Sequence, residues 1–511
     1  MKTLLTLVLS LGVILLVSTA SAADITSAAT GNWDAGATWV GGVVPTAADN
    51  VTIDTAHTVT INVATAQCNN LIVGGYLYFD IVNSGQKLLV NGNINVTAIK
   101  PGRLRSGSGT PTAPKAHELE LRGNLTVDSS GSFDMRVGSG ANVSVGRVVF
   151  SGSTNSTILL GRTIYLSSGE EFNSVIINKT GGAKVILAAG NLFQNNNTTN
   201  SPDTLIFVSG IIETGNNHWA ILRTSSGAFV GASPASYVNG IIGRGVTNGG
   251  GNATVDLPIG DATNFRPVNL RLAAPANATG HYVWGRVRLG NANTGSSTLA
   301  GGIDRVSAVR YFEVGYLQNA GTANTMNFYV FGPSYGTDDG VAPGNQDLRT
   351  AYSTNARVTW TNAGPTTHTT DLTAPPTTIP SDSLSPTIPV VTGTSLFVAL
   401  ARATGTTTNS LGGPSAVIEE AGVPEQFFLA QNYPNPFNPA TTIEYGLPAD
   451  GFVTVKVFNL VGQEVATLVN EQQVAGVHRV MVNANGLPSG TYFYRVNAGG
   501  VSATQRMMLI K

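Results

Sequence analysis

Short runs of alternating apolar and polar residues recur through the first half of the chain. Clear examples lie at residues 69–81, 86–98 and 117–133. Alternation over about four to eight residues is typical of a β-strand with one buried face. Each run also contains glycine or asparagine, which tolerate the backbone angles of tight corners. The pattern therefore predicts many short strands joined by turns and an all-β fold.

These runs also resemble one another, which bears on their architecture. Aligned on Gly75, Gly92 and Gly123, each glycine is followed by alternating apolar residues at a period of roughly 20 residues. A coil of a solenoid cannot bury its inward residues alone, so similar coils stack on one another. We therefore expect a right-handed parallel β-helix over 23–245. A β-sandwich with evenly spaced hairpins is the alternative.

The pattern changes after residue 245. Alternating segments continue to residue 403, but the repeated sequence pattern of the first half is lost. Alternation without this repeat predicts an antiparallel β-sandwich over 246–405. Residues 406–424 are small and polar without periodicity, as in a linker. Val453, Val455 and Val457 then alternate with polar residues, and we expect a small immunoglobulin-like β-sandwich over 425–511.

The first 22 residues have the pattern of a secretory signal peptide. Lys2 precedes an apolar run at 4–17, and a small-residue A-x-A site ends at Ala22. We expect cleavage after Ala22. The run is too short to span a membrane, and no other stretch approaches the about 18 apolar residues of a spanning helix, so the sequence predicts no integral membrane protein.

Composition narrows the possible functions. Charged residues make up only 11% of the chain, and 28 basic against 29 acidic residues give a net charge of -1. Without a basic run, binding to nucleic acid is not expected. Cys68 is the single cysteine, so no intrachain disulfide can form, and its Val-rich context favours a small buried apolar residue over a nucleophile.

Histidine and glycine patterns give no sign of a cofactor or metal site. The histidines are scattered, without the paired spacing of zinc ligands, and we expect each of them in a loop or at the surface. No phosphate-binding loop and no nucleophile elbow occur. The six histidines are His57, His117, His218, His281, His368 and His478.

Acidic pairs are the remaining candidates for catalysis. Glu118 and Glu120 share one face of a predicted strand, and carboxylates so placed can serve acid–base chemistry or hold calcium. A solvated strand face is the more common role of such a pair. The pair at 170–171 precedes a strand, and Asp338 with Asp339 ends a loop, where a turn is favoured over a structural calcium site.

Three isolated tryptophans, Trp219, Trp284 and Trp360, raise the question of a sugar-stacking platform. Each lies within a strand pattern. Large aromatic residues in such patterns usually belong to the core. The sequence therefore favours buried positions for all three.

The segment QNYPNPFNPA at 431–440 is too rich in proline for a helix or a central strand. We expect it to form a stiff, extended lead-in whose aromatic residues pack on the edge of the last domain. VFNLVGQEVATLV, with a turn at Gly462, and LPSGTYFYRV follow in that order. The alternative is a proline-rich linker without a further role.

In these motifs, residues 425–511 resemble the type A C-terminal sorting domain of proteins exported by the bacterial type IX secretion system. The resemblance implies export through the periplasm, binding of the tail to the secretion machinery, and a final location at the cell surface or outside the cell. The opening of the mature chain and LPIGD…FRPVNL also resemble surface proteins with this tail. The positions that match the sorting motifs are Asn432, Pro434, Asn435, Pro436, Phe437, Asn438, Gly462, Gly490 and Tyr492.

Without a catalytic constellation, the sequence favours a non-catalytic surface protein with a structural or adhesive role. A secreted polysaccharide-active enzyme or a carbohydrate-binding surface protein is the alternative, since β-helices also carry such activities. Three or more carboxylates beside a lysine or arginine in one groove of the solenoid would favour the enzyme.

Overall fold

The computed structural model divides the chain into two compact units, Met1–Pro414 and Ser415–Lys511. In the described part of the chain, no helix has both the length and the apolar character needed to cross a membrane. The described residues are 22–97, 102–139, 142–161, 172–194, 204–224, 227–246, 252–273, 281–294, 297–318, 325–329, 332–335, 337–341, 348–365, 377–379, 387–405, 411, 427–432, 435, 437, 440–449, 451–473, 476–484, 487–498 and 500–510.

The first unit begins as a parallel β-solenoid of about seven turns, which confirms the predicted all-β class and coil architecture. Three parallel sheets, named A, B and C here, run along it. Sheet A contains Asp24–Thr26, Asn50–Ile53, Leu71–Val73, Ile94–Val96, Leu125–Val127, Ser156–Leu160, Lys184–Ala189, Leu192–Gln194, Ile211–Ile221, Val238–Gly245 and Ile259–Gly260. Sheet B contains Gly31–Asn32, Thr58–Ile61, Tyr76–Phe79, Arg103–Arg105 and Ser132–Asp134. Sheet C contains Thr65–Cys68, Lys87–Val90, Lys115–Leu121, Asn142–Gly152, Ser174–Lys179, Leu205–Ser209 and Phe229–Val230, with Arg136–Ser139 paired antiparallel to it.

Aliphatic side chains from successive coils stack inside the solenoid. Ile53, Val73, Val96, Val127 and Leu160 lie in register on sheet A, and each is at most 3% exposed. Full burial of such a side chain contributes about 1.5–3 kcal/mol relative to exposure. Because each coil covers the next, the alternation seen in the sequence becomes one continuous core.

The corners of the coils show why the predicted glycine alignment is partly wrong. Gly123 donates its N–H to the carbonyl of Gly92 at 3.0 Å, so these two glycines share a corner. Gly75 instead occupies another corner, together with Gly102 and Gly131. A Cβ at Gly75 would lie 2.1 Å from the carbonyl oxygen of Asp54, and one at Gly123 would lie 2.3 Å from that of Gly92, so both corners require glycine. The residues around the two corners look alike in sequence, although they lie at different positions of the coil.

Asparagines form a ladder along the corner that precedes sheet A. The Oδ1 atoms of Asn70 and Asn93 accept the backbone N–H of Asn93 and Asn124 at 2.8 and 2.9 Å. The Asn70 amide also donates to Oδ1 of Asn50 at 2.8 Å. Each asparagine thereby supplies acceptors at a corner where regular strand pairing is interrupted.

Sheet A continues beyond the solenoid, so the predicted boundary at 245–246 is crossed by hydrogen bonds. Val238–Gly245 pairs in parallel with Ile211–Ile221 and antiparallel with His281–Leu289. The extension then contains Arg310–Gln318, Ser395–Ala403, Leu348–Ser353, Thr359–Pro365, Ile303–Val306 and Thr298–Ala300. A second antiparallel sheet contains Asn252–Leu257, Val268–Ala273, Thr325–Tyr329 and Thr387–Val391, and a third pairs Gly332–Tyr335 with Thr377–Ile379.

Short 3-10 turns and one buried leucine complete the first unit. The 3-10 turns are Gly36–Thr38, Val40–Gly42 and Thr337–Asp339. Leu411 is fully buried and donates its N–H to the carbonyl of Gly340. It lies inside the predicted linker 406–424, whose other residues lie outside the described ones.

The second unit has two antiparallel sheets around one core. The smaller sheet contains Phe428–Leu429, Ala440–Leu447 and Gly476–Asn483. The larger one, named the tail sheet here, has the order Glu464–Gln473, Gly451–Phe458, Gly490–Ala498 and Val501–Leu509. Ile443 and Tyr445 from the smaller sheet join Val455, Tyr494 and Val496 from the tail sheet in the core.

Candidate functional site

Asn432, from the proline-rich motif, is anchored inside the second unit. It is 1% exposed, and its backbone N–H donates to the hydroxyl of Tyr494 at 2.7 Å. The same hydroxyl donates to the carbonyl of Ala430 at 2.7 Å, and burial raises the pKa of Tyr494 to about 12. The Asn432 amide also donates to Thr441 at 2.9 Å. These bonds hold the motif against the core, as expected of a lead-in that packs on the domain.

Asn435 and Phe437 join the motif to the last strand. Oδ1 of Asn435 accepts the N–H of Met508 at 2.9 Å, as a strand neighbour would. Phe437 donates its N–H to the Met508 carbonyl at 2.9 Å, and its own carbonyl accepts the N–H of Ile510 at 3.0 Å. Its side chain is 2% exposed. The segment therefore pairs with the end of the last strand at Met508 and with Ile510 just beyond it. Pro434, Pro436 and Asn438 lie outside the described residues.

The later motif positions shape two turns. The Tyr492 hydroxyl donates to the carbonyl of Pro488 at 2.8 Å, which fixes the LPSG turn from within. Gly462 has a φ of +81°, a left-handed value that favours glycine. In the same turn, Oδ1 of Asn459 accepts the N–H groups of Val461 and Gln463 at 3.1 and 2.9 Å. Gly462 thus lies in a turn, as the sequence predicts.

The motif positions lie toward one end of the tail sheet. Gly490 lies directly beside Leu509, and Phe437 forms a bridge to Leu509. The Gly462 turn follows Phe458, which pairs with Phe493 in the first half of Gly490–Ala498. This motif end also has exposed apolar residues, since Leu460 and Val461 are 73% and 77% exposed. Ile510 at the same end is 51% exposed.

On the solenoid, the carboxylates of Glu118 and Glu120 are bound by cations from neighbouring coils. Lys87 lies 3.0 Å from Glu118 and also contacts Glu120, and Arg147 lies 2.6 Å from Glu118. Burial would raise the pKa of both carboxyl groups, but the hydrogen bonds and charges of these neighbours hold it below the ordinary value. A general acid needs a raised pKa, so this pair is not suited to that role. The pair at 170–171 lies outside the described residues.

Asp338 and Asp339 belong to a buried ion cluster with LPIGD…FRP. Arg266 from this motif lies 2.5 Å from Asp338, and Arg310 contacts Asp338 and lies 3.3 Å from Asp339. Asp261 lies 3.5 Å from Arg310. Burial lowers the pKa of Arg310, but Asp339 and Asp261 outweigh this effect and raise it. The acidic pair lies in the 3-10 turn Thr337–Asp339, as the favoured turn interpretation predicts, and its carboxylates are bound by Arg266 and Arg310.

Two histidines lie in strands, His117 buried and His218 half-buried, contrary to the prediction that all of them lie in loops or at the surface. His117 is 4% exposed and stacks on Phe79 at 5.0 Å between ring centroids. Nδ1 of His218 lies 3.2 Å from the Tyr282 hydroxyl, and its ring packs edge-on against Trp284. Burial lowers the pKa of both imidazoles to about 4, so both are neutral at pH 7.

The other single candidates also belong to the core. Trp219, Trp284 and Trp360 are at most 8% exposed, which confirms the core interpretation and removes them as a stacking platform. Cys68 is fully buried, and burial raises the pKa of its thiol to about 12, so it packs as an apolar residue.

Ala22, the predicted cleavage position of the signal peptide, is exposed just before the first strand, and cleavage after it stays a prediction.

Comparison with protein families identifies two regions. Residues 431–511 match the Secretion system C-terminal sorting domain, and residues 38–160, within the solenoid, match the G8 domain. Searches of curated proteins and of solved structures find no match to this chain. The chain thus carries a type IX secretion system sorting domain. This domain implies contact with the type IX secretion machinery and export to the cell surface or the extracellular space.

Proposed function

We propose that the chain is a non-catalytic surface protein whose solenoid has a structural or adhesive role, with residues 425–511 as its export address. The observation that best supports this export signal is that Asn435, Phe437 and Gly490 all contact the last strand. A sorting signal must be read in a defined shape. These contacts give a proline-rich segment such a shape.

The charge arrangement of the cargo supports the non-catalytic role over the enzyme alternative. The outer carboxylates Glu118 and Glu120 are held ionised by cations, and among the residues that the structure describes their network contains two carboxylates rather than three. The buried cluster contains three carboxylates, but Asp261 and Asp339 are at most 2% exposed, so a polysaccharide chain cannot reach them. Carboxylates held in ion pairs between neighbouring coils favour a scaffold over a catalytic role for this surface.

We further propose that the secretion machinery contacts the motif end of the tail sheet. Leu460 and Val461 lie at the tip of a turn that Asn459 and Gly462 hold in shape, so two apolar side chains face solvent at fixed positions. Exposed apolar residues on a well-ordered turn are typical of contacts with a partner. The partner should therefore offer an apolar pocket.

The test compares export of matched variants of the whole chain in the producing bacterium. Leu460→Asp should retain protein in the periplasm, as should deletion of 425–511. Phe452→Asp, at the opposite end of the tail sheet and 51% exposed, is the control that should reach the surface normally. Surface location is measured by protease accessibility on intact cells. Normal export of the deletion would refute the address, whereas normal export of Leu460→Asp alone would refute only the contact surface.

A further inference from the structure

A groove on the outer face of sheet A lies where the solenoid meets its antiparallel extension. It has a volume of about 560 Å³, and polar side chains dominate its rim. We name it the bulge groove. The residues that supply its chemistry are Glu213, Asn216, Asn217, Asn239, Arg286 and Arg288.

A bulge in Ile211–Ile221 creates the groove. Glu213 pairs with Asn239, but the next pair joins His218 to Ile241, so residues 214–217 leave the ladder. On the other side, pairing with the preceding coil also stops after Glu213 and resumes only at Trp219. Bulges of this kind often occur beside binding sites, because they redirect side chains away from the sheet.

Hydrogen bonds from the buried side of the sheet hold the bulge in place. Thr214 is fully buried, and its hydroxyl accepts the N–H of Ile241 at 2.5 Å while it donates to the carbonyl of the same residue at 3.2 Å. Gly240 makes this approach possible, since a Cβ there would lie 2.2 Å from the Thr214 hydroxyl. The amides of Asn216 and Asn217 are therefore presented at fixed positions.

Arg286 and Arg288 form the charged wall of the groove. Arg286 is held by Glu313 at 2.7 Å and donates to Oδ1 of Asn216 at 2.9 Å. Arg288 donates only its Nε to Glu313, at 3.2 Å, among the described residues, and its side chain is 40% exposed. Its two terminal nitrogens are therefore free to bind an acceptor in the groove.

The charges of the groove leave one positive charge unbalanced. Glu213 is neutralised by Lys184 at 2.6 Å, and Glu313 is shared between Arg286 and Arg288. Burial would raise the pKa of Glu313, but the two arginines outweigh it and lower it, so this carboxylate stays charged. In the described part of the chain, three cations thus face two carboxylates here, and the exposed excess lies on Arg288.

We infer that the bulge groove binds a saccharide chain that carries carboxylate groups. The planar guanidinium of Arg288 matches a carboxylate, and asparagine amides offer both donors and acceptors to sugar hydroxyls. The groove's described lining includes no aromatic ring, so it offers neutral sugars none of the stacking surface that they use elsewhere. The inference rests on the proposed adhesive role and names the class of ligand for it.

Calorimetric titration of the purified mature chain with a galacturonic acid trisaccharide tests the inference. We expect saturable binding that weakens with added salt, and no binding of a galactose trisaccharide. Arg288→Gln should weaken binding about tenfold, because one charge-assisted contact is lost. Asn239→Ala should weaken it by a smaller factor, since a neutral hydrogen bond is lost. Arg147→Gln, which changes a solenoid arginine outside the groove, should bind like the unaltered chain.

Three results would overturn the inference: no saturable binding of the acidic trisaccharide, equal binding of the neutral one, or an unchanged affinity of Arg288→Gln. Equal weakening by Arg147→Gln would also overturn it, because binding would then not be local to the groove. The circular dichroism spectrum of each variant must match that of the unaltered chain. Cleavage of the bound trisaccharide would refute the proposed non-catalytic role, while binding at the groove would still stand.

Discussion

Replacement of His117 with phenylalanine should make the solenoid more resistant to acid. His117 points into the core between coils, and neither ring nitrogen has a hydrogen-bond partner among the described residues. Burial lowers its pKa from 6.5 to about 4, while Asp80 opposes and Lys115 reinforces this effect. The unfolded chain therefore takes up a proton below pH 6.5, and the folded chain takes it up only near pH 4.

The sign of the effect follows from proton binding. Between pH 6.5 and about 4 the unfolded state binds more protons, so the free energy of unfolding falls as the pH falls. The difference between the two pKa values corresponds to about 3 kcal/mol at the acid end. Phenylalanine keeps the stacking on Phe79 and cannot bind a proton. It also removes buried, unpaired nitrogens, whose burial costs about 1–3 kcal/mol.

The assay is urea unfolding of the mature chain at several pH values from about 8 to about 4.5. We expect the stability advantage of His117→Phe to grow by about 2–3 kcal/mol over this range. Gln86→Leu is the matched control, because Gln86 is 3% exposed and its amide is also unpaired among the described residues, but it does not titrate. Its effect should be constant with pH. A constant effect of His117→Phe would refute the reasoning.

Two further predictions concern single buried bonds. Arg310→Met should destabilise the first unit by about 3–5 kcal/mol in urea unfolding, because Asp339 stays buried without this cation. Asp304→Asn, which breaks an ion pair at the surface, should change stability by at most about 1 kcal/mol, and a larger loss there would contradict the argument from burial. Tyr492→Phe removes the bond to Pro488 and should weaken protection of the second unit in hydrogen exchange by about 1 kcal/mol. Unchanged protection would show that the turn does not depend on this hydroxyl.

Strand alternation made the all-β solenoid predictable, but the exact stacking depends on loops. Val51 pairs with Leu71, whereas Leu125 pairs with Ile158 in a later coil, so coil length varies along the chain. Insertions at corners change the spacing without changing the inward pattern. A fixed period therefore placed Gly75 beside the wrong glycines, while the strand type was still correct.

Buried polar groups were the least predictable features, because their partners come from distant positions. Asp338 looks like a turn residue in sequence, but Arg266 and Arg310 reach it from other elements of the fold. The bulge groove likewise combines the solenoid residue Asn216 with Arg286 from the antiparallel extension. No local pattern shows such pairs. The sequence offers one local sign of the groove: Arg286 and Arg288 lie two residues apart in one alternating strand.

The composition of the motif QNYPNPFNPA follows from its place beside the last strand. An uncovered edge strand offers unpaired N–H and C=O groups to any other chain, and exported proteins cross crowded surroundings. Asn435 binds Met508 through its side chain, and Phe437 binds Met508 and Ile510 through its backbone, so the end of this edge is paired. Asn435 and Phe437, two of the predicted sorting positions, thus also lie against the end of the last strand.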